Sequence, residues 1–234
     1  MPGSVPLRIL SLDTASDRVS VALLEGDEVK AELRMASLEN RSARLLPSIA
    51  YLLRDVGWTL RDLGLIAAGT GPGSFTGIRV GIATALGLAQ ALSVPFAGIS
   101  CLDALALAAA LPAGRLGVAM DARRAQVYYA EYQVQGRRLR QVRKPSMLTP
   151  QELARSLRPA GLYMAGDGAL LYRRELAIRR GGWPRLLHPD LFLAASVGRL
   201  AAMRKRSWHT GPFLQAMPTY IRPPDALRGA RQKS

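Results

Sequence analysis

Gly69-Thr70-Gly71-Pro72-Gly73-Ser74-Phe75-Thr76-Gly77-Ile78-Arg79-Val80-Gly81 is the stretch on which the reading of this 234-residue chain turns. Leu65-Ile66-Ala67-Ala68 before it is an apolar run of strand type, and Phe75–Leu92 reads as a long apolar helix. A glycine-rich strand-to-helix junction gathers backbone N–H groups at the positive end of a helix, an arrangement that binds anions. This junction is not a Walker phosphate loop, because no Lys-Ser/Thr pair follows the glycines. Nor is it a dinucleotide fingerprint, since residues 86–95, where the ribose-binding acid would stand, contain no Asp or Glu. The small residues recur instead with a period of four: Gly73, Gly77, Gly81, Ala85 and Ala89. Each glycine inside a helix costs roughly 1 kcal/mol against alanine, so such a ridge is expected where another element approaches closely. The rest of the helix is apolar nearly all round, with Arg79 its only charge, and needs cover on every side. The ridge, with Phe75 and Ile78 beside it, is therefore expected to receive a helix of a second protein, burial within its own domain being the alternative.

Working outward, residues 7–13, 19–24 and 28–35 read as three strands joined by the turns Ala15-Ser16-Asp17-Arg18 and Glu25-Gly26-Asp27. Residues 40–56 carry Leu45, Leu46, Ile49, Leu52, Leu53 and Val56 at helical spacing, with Pro47 either opening or kinking the helix. A strand over 65–69, the helix over 75–92 and a strand over 96–99 complete a β-β-β-α-β-α-β order. The second half starts alike. A strand over 116–121 ends in Asp121, and after Ala122-Arg123-Arg124 a strand over 127–134 opens on Val127, six residues on, as Val19 lies six residues beyond Asp13. A strand over 139–148, a capping box at Thr149-Pro150-Gln151-Glu152, a strand over 162–165 and a helix over 196–203 follow. The expectation is an α/β chain of two β-β-β-α-β-α copies. Residues 1–101 form the first half, 102–222 the second, and 223–234 a frayed tail.

The net charge of +15 lies wholly in the second half, where 23 basic residues face eight acidic ones, while residues 1–100 balance nine against nine. That asymmetry suggests an acidic partner such as nucleic acid. Arg137, Arg138, Arg140, Arg143 and Lys144 are the candidates for RNA contact. The other account is compositional, since Arg outnumbers Lys 28 to 4. A lone cysteine, Cys101, favours a reducing compartment. The start does not read as a secretion signal, and the apolar 80–100 segment, broken at Ser93-Val94-Pro95, does not read as a membrane span.

Two aspartates at matching hairpin turns, Asp13 and Asp121, are what a phosphate-transferring enzyme of duplicated halves would use to order Mg²⁺ or water. Asp13-Thr14 is serviceable for this; Asp121-Ala122-Arg123-Arg124 lacks the glycine that close backbone approach to a phosphate requires. Asp13 reads equally well as a turn cap. His188 and His209 have no metal-ligand spacing. Tyr128, Tyr129 and Tyr132 read as strand packing rather than base stacking.

These motifs resemble the TsaB (YeaZ) family. The likeness is carried by Ile9-Leu10-Ser11-Leu12-Asp13-Thr14-Ala15, by Leu45-Leu46-Pro47, and most specifically by residues 71–81. Met120-Asp121-Ala122-Arg123-Arg124 with Val127-Tyr128, and Pro218-Thr219-Tyr220-Ile221-Arg222, support it. The resemblance implies an actin-like ATPase (ribonuclease-H-like) fold of two similar domains. It implies a cytoplasmic, non-catalytic subunit of the complex that adds threonylcarbamoyl to the adenosine beside the tRNA anticodon. Its partners would be a TsaD-type catalytic subunit and a TsaE-type ATPase, with a second copy of the chain as the alternative occupant of the dimer surface. ATP with Mg²⁺ would be used by the complex and not held tightly by this chain, leaving Asp13 and Thr14 as a vestigial nucleotide site. The helices matching residues 41–56 and 74–92 would form the interface, through Leu45, Leu46, Ile49, Leu53, Gly73, Phe75, Gly77, Ile78, Gly81 and Ala85. A nucleotide-dependent phosphotransferase is the rival reading, and a metallopeptidase fits poorly without metal-ligand spacing. Two departures stand out: Arg41-Ser42 where the family often has His-Ser, and Ala125 where it usually has Gly.

Overall fold

The computed structural model describes residues 6–36, 41–158, 160–177 and 184–210. The motif at 218–222 and the tail at 223–234 lie outside them. In chain order the first elements are β1 (Arg8–Asp13), β2 (Val19–Glu25), β3 (Glu28–Met35), α1 (Arg41–Asp55), β4 (Leu65–Gly69), α2 (Phe75–Leu92), β5 (Phe96–Ile99) and α3 (Cys101–Ala108). Then come β6 (Ala113–Asp121), β7 (Val127–Gln135), β8 (Arg138–Leu148), α4 (Pro150–Ser156), β9 (Leu162–Ala165), α5 (Asp167–Leu171), β10 (Arg185–Leu187), α6 (Ala194–Met203) and β11 (Trp208–His209).

The chain divides into two compact units. One comprises the described residues up to Ala104 with those from Phe192 onward; the other runs from Leu105 to Leu191. The first holds a sheet of order β11-β5-β4-β1-β2-β3. β1 runs parallel to β4 and antiparallel to β2, and β4 runs parallel to β5. β1 and β4 are buried along nearly their whole length, which is why they read as unbroken apolar runs rather than alternating ones. One face, through Leu10, Leu12, Val21, Leu23, Ile66 and Ala68, packs beneath α1 and α2. α1 continues through Pro47, whose missing N–H leaves free a carbonyl at exposed Ala43 rather than in the core.

α6 covers the opposite face. Its first residue is held by two buried serines: Ser11 Oγ donates to the Ala194 carbonyl at 2.8 Å, and the Ala194 N–H donates to Ser20 Oγ at 3.0 Å. Gly198 lets the helix lie directly on Leu24 and Ser11. These contacts correct the expected boundary: the helix near 196–203 belongs with the first unit, not with a continuous second half. An ion pair between Asp103 of α3 and Arg204, just after α6, closes the same side.

The second unit repeats the plan with the order β10-β9-β6-β7-β8, strand for strand the counterpart of β5-β4-β1-β2-β3. This duplicated ribonuclease-H-like order is the actin-like ATPase fold. α4 begins at the expected capping box, where Thr149 Oγ1 accepts from the Glu152 N–H at 3.2 Å and Glu152 accepts from the Thr149 N–H at 2.8 Å. Its Leu153 packs with Ala119, Tyr129, Leu162 and Met164. Tyr128, Tyr129 and Tyr132 are all buried, as strand packing requires.

Two helical glycines separate packing from propensity. A Cβ at Gly77 would collide with the Thr14 carbonyl oxygen, whereas one at Gly87 meets nothing within 4 Å. Alanine at either position gains roughly 1 kcal/mol of helix propensity, but overpacking against backbone costs about 1–3 kcal/mol. Gly87→Ala is expected to raise the denaturant midpoint and Gly77→Ala to lower it.

Candidate functional site: a filled glycine ridge and an open helical face

The ridge of α2 is occupied from within its own unit. A Cβ at Gly73 would meet the Ala15 carbonyl, at Gly77 the Thr14 carbonyl, and at Gly81 the Thr14 hydroxyl. Thr14 Oγ1 donates to the Gly77 carbonyl at 2.7 Å, and the Ser74 N–H donates to the Ala15 carbonyl at 2.6 Å. Ser74 caps the helix by accepting from the Gly77 N–H at 3.2 Å. The turn after β1 is thus set into the glycine face, and farther along Ala85 and Ala89 are buried against the sheet. This corrects the expectation that the ridge meets a second protein: Gly73, Gly77, Gly81, Ala85 and Ile78 serve the internal packing of the unit. Leu45, Ile49 and Leu53 are likewise buried in this core. Phe75 is half-buried, with the Arg79 guanidinium 3.8 Å from its ring centre.

The other side of the two helices is open. On α1, Leu46 is 56% exposed and Tyr51 51%, with Pro47 and Ala50 also exposed. On α2 only Ile78, Gly81, Ile82, Ala85 and Ala89 are buried out of 18 residues. Thr76, Ala83, Gly87 and Ala91 are exposed, and Val80 and Leu88 lie half-buried between them. α2 is long and apolar enough by length and composition to cross a membrane, yet its inner face is built into the sheet layer. Of the interface residues expected from the sequence, Leu46 alone is exposed on this surface. Thr76, Ala83, Gly87 and Ala91 escape the sequence reading, because the inner ridge has the stronger glycine period.

Two amides of the turn after β1 are spent within it. Asp13 Oδ1 accepts from the Ala15 N–H at 3.2 Å and lies 3.6 Å from Cys101 Sγ, while the Arg18 N–H turns to Ser16 Oγ at 3.1 Å. Gly69 permits this, since a Cβ there would stand 2.7 Å from Asp13 Oδ1. Asp13 Oδ2 is buried without a hydrogen-bond partner. Burial pushes the carboxyl up to about 6, against the opposing pull of the Ala15 N–H, the Cys101 thiol and the Thr14 N–H. Burial and the neighbouring Asp13 carboxylate also push the Cys101 thiol well above its ordinary range, so it is an inert core group.

The matching turn after β6 closes on itself. The Ala122 N–H donates to the Gln126 carbonyl, the Gln126 N–H to the Arg123 carbonyl, and the Arg123 N–H to Asp121 Oδ1. Arg123, Arg124 and Ala125 all have left-handed backbones, with φ of 60°, 52° and 53°. A non-glycine residue in that region costs roughly 1–2 kcal/mol, which explains why a glycine suits position 125 and marks Ala125 as strained. On β8, Arg143 is committed to the unit itself. Its guanidinium donates to Ser156 Oγ at 3.0 Å, lies 3.7 Å from Glu131 and stacks over Tyr129. Glu131 is buried and also accepts from Tyr129 and Arg115. Arg143 is therefore a packing residue, contrary to the expectation that it meets RNA, whereas Arg137, Arg138, Arg140 and Lys144 are exposed. His188 and His209 sit on different units, and no group of three or more metal-ligating side chains occurs among the described residues.

Asp13 gives this site a pH signature. The folded chain holds the proton more tightly than the unfolded chain, whose carboxyl titrates near 3.8. The stabilisation this provides is complete below about pH 4 and is lost as pH rises through about 6, a swing of about 3 kcal/mol. Unfolding midpoints of the native chain are expected to fall across that window, and Asp13→Asn is expected to flatten the fall.

Comparison with known proteins bears on the same elements. The family model of TsaD, tRNA N6-adenosine threonylcarbamoyltransferase, matches residues 36–174. The chain is 30% identical over 226 residues to the tRNA threonylcarbamoyladenosine biosynthesis protein TsaB of Haemophilus influenzae, covering 92% of this chain and 94% of that protein. It is 42% identical to TsaB of Escherichia coli over 54% of this chain and 38% identical to TsaB of Bacillus subtilis over 58%. In these two matches the chain spans only 55% and 59% of the relative's length. Among solved structures, YeaZ from Pseudomonas aeruginosa superposes with a TM-score of 0.77 at 31% identity, covering 92% of this chain and 99% of that one. Likeness in sequence over 92% of the chain, matched by likeness in fold to YeaZ over the same share, places the chain in the TsaB (YeaZ) family.

Proposed function

We propose that this chain is a non-catalytic, activating subunit of the complex that adds threonylcarbamoyl to the adenosine beside the tRNA anticodon, and that it docks on a TsaD-type catalytic subunit through the outer faces of α1 and α2. The observation that carries this reading is the open side of α2, a long apolar helix of which five residues in 18 are buried. A helix apolar nearly all round is stable in water only when covered, and a contiguous exposed apolar patch marks an interaction surface. Gly87, with open space above it, admits a partner helix close to the backbone. Leu46 and Tyr51 supply large apolar anchors of the kind that concentrate binding energy. The names of the relatives supply the pathway.

The phosphotransferase reading is the weaker one. Wrapping a phosphate takes free backbone N–H groups, and each hairpin turn directs two of its own inward: to Asp13 and Ser16 in the first unit, to Asp121 and Gln126 in the second. That leaves fewer amides for a nucleotide. ATP with Mg²⁺ is then a requirement of the complex, met by the catalytic subunit and a TsaE-type ATPase. The same α1–α2 surface is the one through which a second copy of the chain would pair when the catalytic subunit is absent. The work is cytoplasmic, where tRNA is modified.

The test uses exposed residues, because leucine at Gly77 or Gly81 would disturb the chain's own core. Leu46→Glu with Ala83→Glu is expected to leave the melting temperature near that of the native protein and to weaken co-purification with the catalytic subunit more than tenfold. Undiminished pairing would place the interface elsewhere.

A further inference from the structure

The two sheets offer an internal comparison. β3 and β8 occupy the same edge position in the two copies, and each carries four charged side chains. On β3 they alternate in sign, Glu28, Lys30, Glu32 and Arg34, and neutralise one another through Lys30–Glu28 at 2.9 Å and Arg34–Glu32 at 2.7 Å. On β8 they are Arg138, Arg140, Arg143 and Lys144, with no acid among them. Charge on an edge strand guards it against pairing with other chains, and either sign serves. The uniform sign of β8 is therefore not a demand of the fold.

The register sharpens the contrast. Glu25 and Gln133 each stand seventh in their strands. The row across the first sheet reads Arg8, Glu25, Glu28, and the row across the second reads Arg115, Gln133, Arg140. In the first, Arg8 and Lys30 balance the glutamates. In the second, Arg115 turns to the buried Glu131 at 2.8 Å, and nothing acidic faces Arg140 along the row. One step further along, Gln135 pairs with Arg138. Pairing places Arg138, Arg140, Gln133 and Gln135 on one face of the sheet. Gln133 is half-buried and the other three are exposed, beyond the end of the face that α4 covers. Two arginines two residues apart on one strand stand about 7 Å apart along it, each with a fork of donors matched to phosphate oxygens. The neighbouring amides can donate or accept toward sugar or base.

We propose that this face of the second unit, centred on Arg138 and Arg140, binds the phosphate backbone of RNA. That the RNA is the tRNA being modified rests on the function proposed above; the binding itself does not. Lys144 stands in the irregular stretch between the paired Arg143 and Ser146 and Arg143 is tied to Glu131 and Ser156, so neither belongs to the centre of this face.

Binding of an unmodified tRNA transcript to the full chain, without the catalytic subunit, tests the proposal across a salt series. The native chain is expected to bind at low salt and to lose affinity steeply as salt rises. Arg138→Glu with Arg140→Glu is expected to weaken binding at least tenfold. Arg138→Gln with Arg140→Gln is expected to lower the salt slope by roughly 2, about one for each phosphate that is no longer neutralised. Arg61→Glu with Arg206→Glu, the same charge change at exposed sites on the first unit, is expected to alter binding less than threefold. No binding at low salt, equal weakening by the two charge-reversed pairs, or displacement of the tRNA by poly-glutamate at equal charge concentration would overturn the proposal, the last assigning the face to an acidic protein. Co-purification of the same variants with the catalytic subunit separates the two readings. Intact pairing with abolished tRNA binding supports this face, and abolished pairing with intact tRNA binding contradicts it.

Discussion

The first unit is organised by one close approach: the Thr14–Ala15 turn lies in the glycine face of α2, with the Thr14 hydroxyl on the Gly77 carbonyl and the Ser74 N–H on the Ala15 carbonyl. No residue larger than glycine fits at 73, 77 or 81 while that turn keeps its place. The contact sets the rotation of α2 about its own axis. Once Gly73, Gly77 and Gly81 face the turn, Ala85 and Ala89 must face the sheet, and Thr76, Ala83, Gly87 and Ala91 must face outward. The Ala15 carbonyl is engaged by the Ser74 N–H in the process. One constraint thus seats the turn after β1 and turns an apolar helical surface to the far side.

The first sheet and its two covering helices were legible in the sequence because their signals are local. Phe75–Leu92 is bounded by a serine cap and by Ser93 in a left-handed conformation at its end, and the glycine period marks a buried face. What the period could not say was which neighbour fills that face. That depends on a contact between residues 14 and 77, and nothing in the spacing of either segment encodes the other. The exposed side of α2 was hidden for the same reason. A helix apolar all round shows no amphipathic stripe from which an outer face can be read. α5, with five residues, and β10, with three, are too short to set up a period. The return of α6 to the first unit rests on Ser11 and Ser20, polar residues inside apolar strands whose partner lies more than 170 positions away.

The two copies have kept one topology and diverged in what they leave exposed. The first unit balances its edge strand and exposes apolar helices; the second charges its edge strand and covers its sheet with a short capped helix. Their turns diverged too. Asp13 is buried with one oxygen unpartnered, while Asp121 stabilises a strained turn of three left-handed residues. Arg143 illustrates why charge counts from sequence mislead: it stands in the densest basic stretch, but its charge is met by a glutamate on the neighbouring strand. The surplus that matters is what remains after such pairs are removed.

The most direct measurement is thiol labelling of single cysteines on the two sides of α2, since the native Cys101 is buried. Ala83→Cys and Gly87→Cys should react rapidly with a maleimide in the free monomer and become protected when the TsaD-type subunit is added, while Ala89→Cys should stay unreactive throughout. Rapid labelling at 89 in the free chain, or undiminished labelling at 83 and 87 in the complex, would contradict the assignment of an inner ridge and an outer docking face.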